Sequence, residues 1–138
     1  MADFVFKTEP SEYSFADLQS KGHGVWDGVR NPVALRNMRE MTKGDRVFVY
    51  HTGSEKAVVG IARAASAAYP DPKAPAGSSL VVIDLVPLAP LKTTVTLATL
   101  KADPEFAESP LRRQGRLSVV RLSDGQAALI EKLGGGKR

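Results

Sequence analysis

Cysteine is absent from the 138 residues, and histidine is limited to His23 and His51. Disulfides and thiolate chemistry are therefore excluded. A structural zinc site needs four Cys or His ligands, so it is excluded too. A carboxylate-held Mg²⁺ or Ca²⁺ site stays open, but no motif asks for a metal, and no cofactor is expected. Long apolar runs are also missing. None approaches the roughly 18–20 residues of a membrane helix. The start, Met1-Ala2-Asp3-Phe4, lacks the basic and apolar regions of a signal peptide. A cytoplasmic protein without a membrane partner is the expectation. Phosphate-binding Gly-x4-Gly-Lys-Ser/Thr, Gly-x-Gly-x-x-Gly and Gly-x-Ser-x-Gly strings do not occur, so no catalytic residue is nominated.

What is present fits an ordinary folded domain. Hydrophobic residues make 43% and charged residues 25% of the chain, which argues against disorder. A chain this size buries about 68–70% of its unfolded surface. Lys and Arg number 19 against 15 Asp and Glu, a net charge of +4. That excess permits an anionic polymer as partner without demanding one. Its densest cluster is Arg112, Arg113, Arg116 and Arg121.

Local signals divide the chain. Residues 4–8 form a β-rich run halted by Glu9-Pro10, and Lys7 and Glu9 share one face of it. Ser14 followed by Asp17 marks a helix start, with Phe15 and Leu18 as the apolar side. Residues 25–30 read as irregular. Asn31-Pro32 opens a second helix, Asn as N-cap and Pro at the first position. Ala34, Leu35, Met38 and Met41 make its core stripe, and Arg36 and Arg39 lie opposite. Residues 46–52 and 57–68 read as an antiparallel hairpin, and 70–78 as a loop without helix or strand. A strand over 80–86 is expected to end at Pro87 and Pro90. Thr96 caps a short helix to Lys101, and 103–114 reads as a loop with a helical turn. Residues 117–122 form the last strand. Ser123 caps a final helix that turns Leu129, Ile130 and Leu133 inward. The pattern predicts one α+β domain over 1–138, with about five strands in a curled sheet or partly open barrel. Residues 134–138 are expected to be a flexible tail, and a monomer is favoured.

Three places could carry chemistry. Trp26, beside a turn and just before a helix N-terminus, is placed to wall a pocket whose polar groups are Asp27 and Asn31. The alternative is a core Trp with turn and cap residues beside it. Tyr50 and His51 end the strongest strand and point to opposite faces, so at most one need line such a pocket. Arg116 and Ser118 share a face of the last strand, where Arg116 is either a phosphate contact or an exposed ion-pair partner. An enzyme acting on a nucleotide would need His51 beside Asp27 or Glu9.

The chain as a whole resembles EVE-domain proteins, the family that includes the thymocyte nuclear protein of animals. The matching strings are Lys7-Thr8-Glu9-Pro10, Trp26-Asp27-Gly28-Val29-Arg30-Asn31, and the run from Gly44 to Thr52. Gly60-Ile61-Ala62, Ala68-Tyr69-Pro70-Asp71, Ser109-Pro110-Leu111 and Arg116-Leu117-Ser118-Val119 complete them. The resemblance implies a PUA-like fold, a small mixed β-barrel with peripheral helices. Its wider relatives include YTH domains, which read methylated adenine in RNA, and SRA-type domains, which read modified cytosine in DNA. It implies a non-catalytic domain that recognises a modified base in DNA or RNA. YTH pockets are walled by a Trp after the first helix and by polar residues after the first strand, which Trp26 and Lys7-Thr8-Glu9 match by position. They use further aromatics as well. This chain has no second Trp, and Tyr50 and Tyr69 are the substitutes considered. Edge contacts would then fall to Glu9, Asn31 or backbone groups, and phosphate contacts to Arg30, Arg36, Arg112, Arg113 and Arg116. The alternative function is a small-molecule or nucleotide sensor using the same pocket.

Overall fold

The computed structural model describes residues 1–135. Among these residues are seven strands and five α-helices, with a single 3₁₀ turn at Pro104–Phe106. The strands are β1 (Asp3–Thr8), β2 (Gly24–Trp26), β3 (Arg46–His51), β4 (Ala57–Ala64), β5 (Tyr69–Pro70), β6 (Val81–Thr96) and β7 (Val119–Leu122). The helices are α1 (Phe15–Lys21), α2 (Pro32–Arg39), α3 (Leu97–Lys101), α4 (Pro110–Arg113) and α5 (Asp124–Leu133). Six strands run in the order β2-β6-β4-β3-β1-β7, and β5 pairs with β6. The expected α+β class with a mixed sheet is observed, but with seven strands rather than about five, β2 and β5 being the two short ones the pattern did not signal. No helix is long and apolar enough to cross a membrane among the described residues.

Helix starts follow the local chemistry. Ser14 and Ser123 form capping boxes with Asp17 and Gln126, each box satisfying two backbone N–H groups. Asn31 accepts from the N–H groups of Val33 and Ala34, and Pro32 takes the first helical position. Thr96 caps α3 through the Thr99 N–H. Ala34, Leu35, Met38 and Met41 are buried as the periodicity requires.

Three departures concern pairing. Residues 25–30 are not wholly irregular, because Gly24–Trp26 pairs antiparallel with Leu85, Asp84 and Ile83. The loop expected over 70–78 likewise begins inside a two-residue strand, Tyr69 opposite Val82 and Pro70 opposite Val81. The strand expected to stop at Pro87 instead runs to Thr96. Proline lacks an N–H and is tolerated in sheets at edges and bulges. Here the β4–β6 register shifts between Val58 and Gly60 and between Ile61 and Ala62, next to the partners of Pro90 and Pro87. Leu133, expected to face inward, is 37% exposed; Ala127 and Ile130 carry the buried face of α5. Gly134 does not fit the expected flexible tail. Gly134 is buried, and its carbonyl accepts from the Thr93 N–H at 3.1 Å. The rest of that expectation, at 136–138, lies outside the described residues.

The core lies along β1. Phe4, Val5 and Phe6 are fully buried, between β3, which runs parallel to β1, and the antiparallel β7. Gly60 on β4 accommodates Phe15 of α1, because a Cβ there would overlap the Phe15 ring. Gly60→Ala is therefore expected to destabilise the fold by about 1–3 kcal/mol, the usual cost of overpacking. The check is a lower urea midpoint at unchanged m-value.

Candidate functional site

Beyond Thr8 the chain leaves β1 and folds back on itself. The Glu9 carbonyl accepts from the N–H groups of Glu12 and Tyr13, both at 2.9 Å. The Thr8 hydroxyl donates to the Tyr13 carbonyl at 2.7 Å. These bonds fix Tyr13 immediately before the Ser14 cap. Its ring meets Trp26 edge-on, with centroids 5.9 Å apart and planes at 81°. Phe6 backs the same indole from the core at 5.4 Å and 53°. Such pairs are worth about 0.5–1.5 kcal/mol beyond their burial. After Trp26 the backbone turns at Gly28, whose φ of 78° suits glycine, and buries Val29 before α2.

Together these elements enclose a cleft of about 480 Å³. Lys7, Thr8 and Glu9 of the β1 end line it, with Glu12, Tyr13, Val25, Trp26, Asp27, Arg30 and Ser118. Its size is within the range of small-ligand pockets. The charged groups differ in how far they are already engaged. Glu9 accepts from the hydroxyls of Thr52 and Ser11, each at 3.1 Å. Among the described residues the Asp27 carboxylate and the Arg30 guanidinium are in neither a hydrogen bond nor an ion pair. Lys7 donates to the Gly115 carbonyl at 3.0 Å and lies over the Tyr50 ring at 5.6 Å. Burial, helped by the positive charge of Lys101, lowers the Lys7 pKa from its ordinary value. Burial raises that of Tyr13, with Asp17 and Asp27 adding to the effect.

Seven of the residues singled out from the sequence thus meet at one cleft: Lys7, Thr8, Glu9, Trp26, Asp27, Arg30 and Ser118. The others sit elsewhere. Pro10 turns the chain away from the cleft lining. Asn31 spends its side-chain oxygen on the Val33 and Ala34 N–H groups, at 2.8 and 3.1 Å. Tyr50 faces an adjoining groove. His51 is buried, accepting at Nε2 from the Phe15 N–H and donating from Nδ1 to Glu55. It meets neither Asp27 nor Glu9, as a His-based enzyme would need. Arg36 is exposed on α2 and Arg116 is exposed ahead of β7. Arg112 donates through Nε to the Lys101 carbonyl, and Arg113 pairs with Glu108 at 2.6 Å.

Sequence reasoning missed Tyr13 and Glu12. The second aromatic wall is neither Tyr50 nor Tyr69; the Tyr69 hydroxyl is bound to Asp84. A local signal did exist. Tyr13 precedes the Ser14 cap and Leu18 follows four residues after it, the positions of a hydrophobic staple. Both side chains close on Gly24, where a Cβ would lie 2.5 Å from the Tyr13 hydroxyl and 3.1 Å from Leu18.

Comparison with known proteins adds the relatives. The model of the EVE domain family matches residues 2–133. Human thymocyte nuclear protein 1 is 38% identical over 80 residues, 49% of this chain and 36% of that protein. The alignment thus spans about a third of the curated relative. A Rhodopseudomonas palustris protein solved by NMR superimposes with a TM-score of 0.91 at 41% identity, covering 98% of this chain and 94% of that one. The human thymocyte nuclear protein 1 in complex with 5-methylcytosine-containing DNA gives 0.89 at 22% identity, with 100% of both chains covered. The YTH domain of a Zygosaccharomyces rouxii protein in complex with N6-methyladenosine RNA gives 0.61 at 15%, covering 96% and 86%. The last two likenesses establish the PUA-like fold.

Two outcomes test the cleft as built. Gly24→Ala is expected to push the Tyr13 ring off Trp26 and shift indole emission. Its stability cost is about 1 kcal/mol, the low end of overpacking. Lys7 is expected to lose its proton below the ordinary lysine range, seen by NMR of its side-chain nitrogen. Because its folded pKa is lowered, the charged ammonium opposes folding below that value. Stability is regained as pH rises from there toward the ordinary lysine range.

Proposed function

The chain belongs to the EVE domain family, and from that premise we propose that it is a non-catalytic domain that binds a modified base in DNA or RNA. The observation that carries the reading is the aromatic corner of Trp26 and Tyr13, opening on a cleft with unengaged polar groups. A base is a flat π-surface with a polar edge. The corner meets the surface and Asp27 meets the edge. Trp26 is only 8% exposed, so it walls the cleft from within, and Tyr13 extends the aromatic surface toward solvent.

Two structural neighbours are in complex with 5-methylcytosine-containing DNA and N6-methyladenosine RNA. Both bases carry an exocyclic N–H donor. Asp27, an unengaged carboxylate, is suited to accept from such a group. Extruding a base from a duplex costs a few kcal/mol, so single strands are the easier ligands. Arg30 at the cleft rim and the exposed Arg36, Arg112 and Arg116 supply sequence-blind attraction to phosphates.

Trp26 is the only Trp in the chain, so its fluorescence reports directly on the cleft. Short single-stranded DNA and RNA with methylated, hydroxymethylated or unmodified cytosine, and with methylated or unmodified adenine, are titrated at two salt concentrations. Selective quenching by one modified oligonucleotide is expected. Asp27→Asn should then remove about 1–3 kcal/mol of discrimination between bases. Salt-sensitive binding without selectivity, or no response at all, contradicts a base reader. Trp26→Ala is unsuitable as the sole variant, because deleting a buried aromatic costs about 3–5 kcal/mol of stability.

A further inference from the structure

Beside the cleft lies a second, shallower groove of about 200 Å³, walled by Tyr50, Thr52, Lys56 and Leu97. Lys7 lines both cavities, so the two adjoin at that side chain. We propose that this groove seats the nucleotide adjacent to the bound base, with Lys7 and Lys56 meeting its phosphodiester and Tyr50 and Leu97 facing its sugar. The inference rests on the base-binding reading of the main cleft.

Charge is the first support. Lys7, Lys56 and Lys101 lie along this side of the molecule, around the groove and the neighbouring surface of α3. Among the described residues none of the three ammoniums has a carboxylate within ion-pairing distance. The two nearby acids are held by other groups. Glu9 is bound by Thr52 and Ser11, and Glu55 by His51. The position of Lys7 raises the same question. It is half-buried against the Gly115 carbonyl and the Tyr50 ring without a counter-ion, and its pKa is lowered by burial and by Lys101. A phosphate in the groove supplies the missing anion.

The backbone of Lys56 is the second and independent support. Its φ is 46°, and no other non-glycine residue among those described has a positive φ. A glycine would adopt this conformation without a steric cost. Left-handed non-glycine residues cluster at ligand sites, where the surrounding structure holds them. Here the Lys56 carbonyl accepts from the Leu97 N–H at 2.8 Å, joining the two sides of the groove. The result is an ammonium carried on a backbone that the turn alone would leave to glycine. By contrast, Arg113 in the arginine cluster is already paired with Glu108.

The test uses Lys56→Gly, with Lys56→Asn as a second variant because Asn tolerates the left-handed region. The probes are 5-methyldeoxycytidine and N6-methyladenosine as free nucleosides, and single-stranded trinucleotides carrying each base at the centre. Both variants are expected to melt at or above the wild-type temperature. Trinucleotide affinity at low salt should fall on the order of threefold, and the salt slope by about 0.7, as for one lost phosphate contact on a single strand. The loss should be the same for modified and unmodified trinucleotides, and quenching by the free nucleoside should not change. Folded variants with wild-type trinucleotide affinity and salt slope would overturn the groove assignment. So would trinucleotides that bind the wild type no tighter than the nucleoside, and that result leaves the base-binding reading standing. Failure of every probe to quench wild-type Trp26 removes the base-binding reading and the groove assignment together.

Discussion

The parallel pairing of β1 with β3 is the constraint on which the rest depends. Its register sets Lys7 opposite Tyr50 and Thr8 opposite His51. Two parallel strands cannot be joined by a tight turn, so the chain between them must cross over. That crossover is α1, β2 and α2. It carries Tyr13 and Trp26 back to the end of β1, and the main cleft lies between the strand end and the crossover. The same register lays Lys7 over Tyr50 and opens the second groove on the other side of the β1 end. One strand pairing thus positions both cavities and the lysine between them.

The walls of the site are also parts of the core. Trp26 packs on Phe6, a fully buried residue of β1, and is itself nearly buried. Burying a large apolar side chain stabilises by about 1.5–3 kcal/mol, so the fold itself keeps the indole in place. Preorganisation of this kind lowers the entropic cost of binding. His51 plays a comparable structural part. Its two ring nitrogens tie the start of α1 to the turn after β3, and α1 begins two residues after Tyr13. A residue that looked available for chemistry instead holds the helix beside the cleft.

Much of the fold was legible because it rests on local chemistry. Ser14, Asn31, Thr96 and Ser123 each cap the helix expected of them. The stripe of Ala34, Leu35, Met38 and Met41 is buried. The pairing of β2 was not legible, because three residues carry too little periodicity to signal a strand. Nor was the passage of β6 through Pro87 and Pro90, since the extra β6 residues that admit a proline show only in its register against β4. At the site, the strings around Lys7 and Trp26 carried the resemblance to EVE domains and mark the main cleft. Asn31 and His51 are candidates by sequence because they are polar and well placed along the chain. Their hydrogen bonds, to α2 and to the ends of α1 and β3, show where that polarity is used.

By itself, then, the sequence determined the helix starts, the apolar faces of the strands, the mixed α+β class and the family. Each of these depends on residues a few positions apart, or on strings that can be compared directly. Only the tertiary structure decided that Tyr13 is the second aromatic wall, that Arg113 is engaged by Glu108, and that Lys7 joins two cavities. Those facts depend on distances between residues far apart in sequence. Lys7 and Gly115, 108 positions apart, are brought within 3.0 Å only by the folded chain.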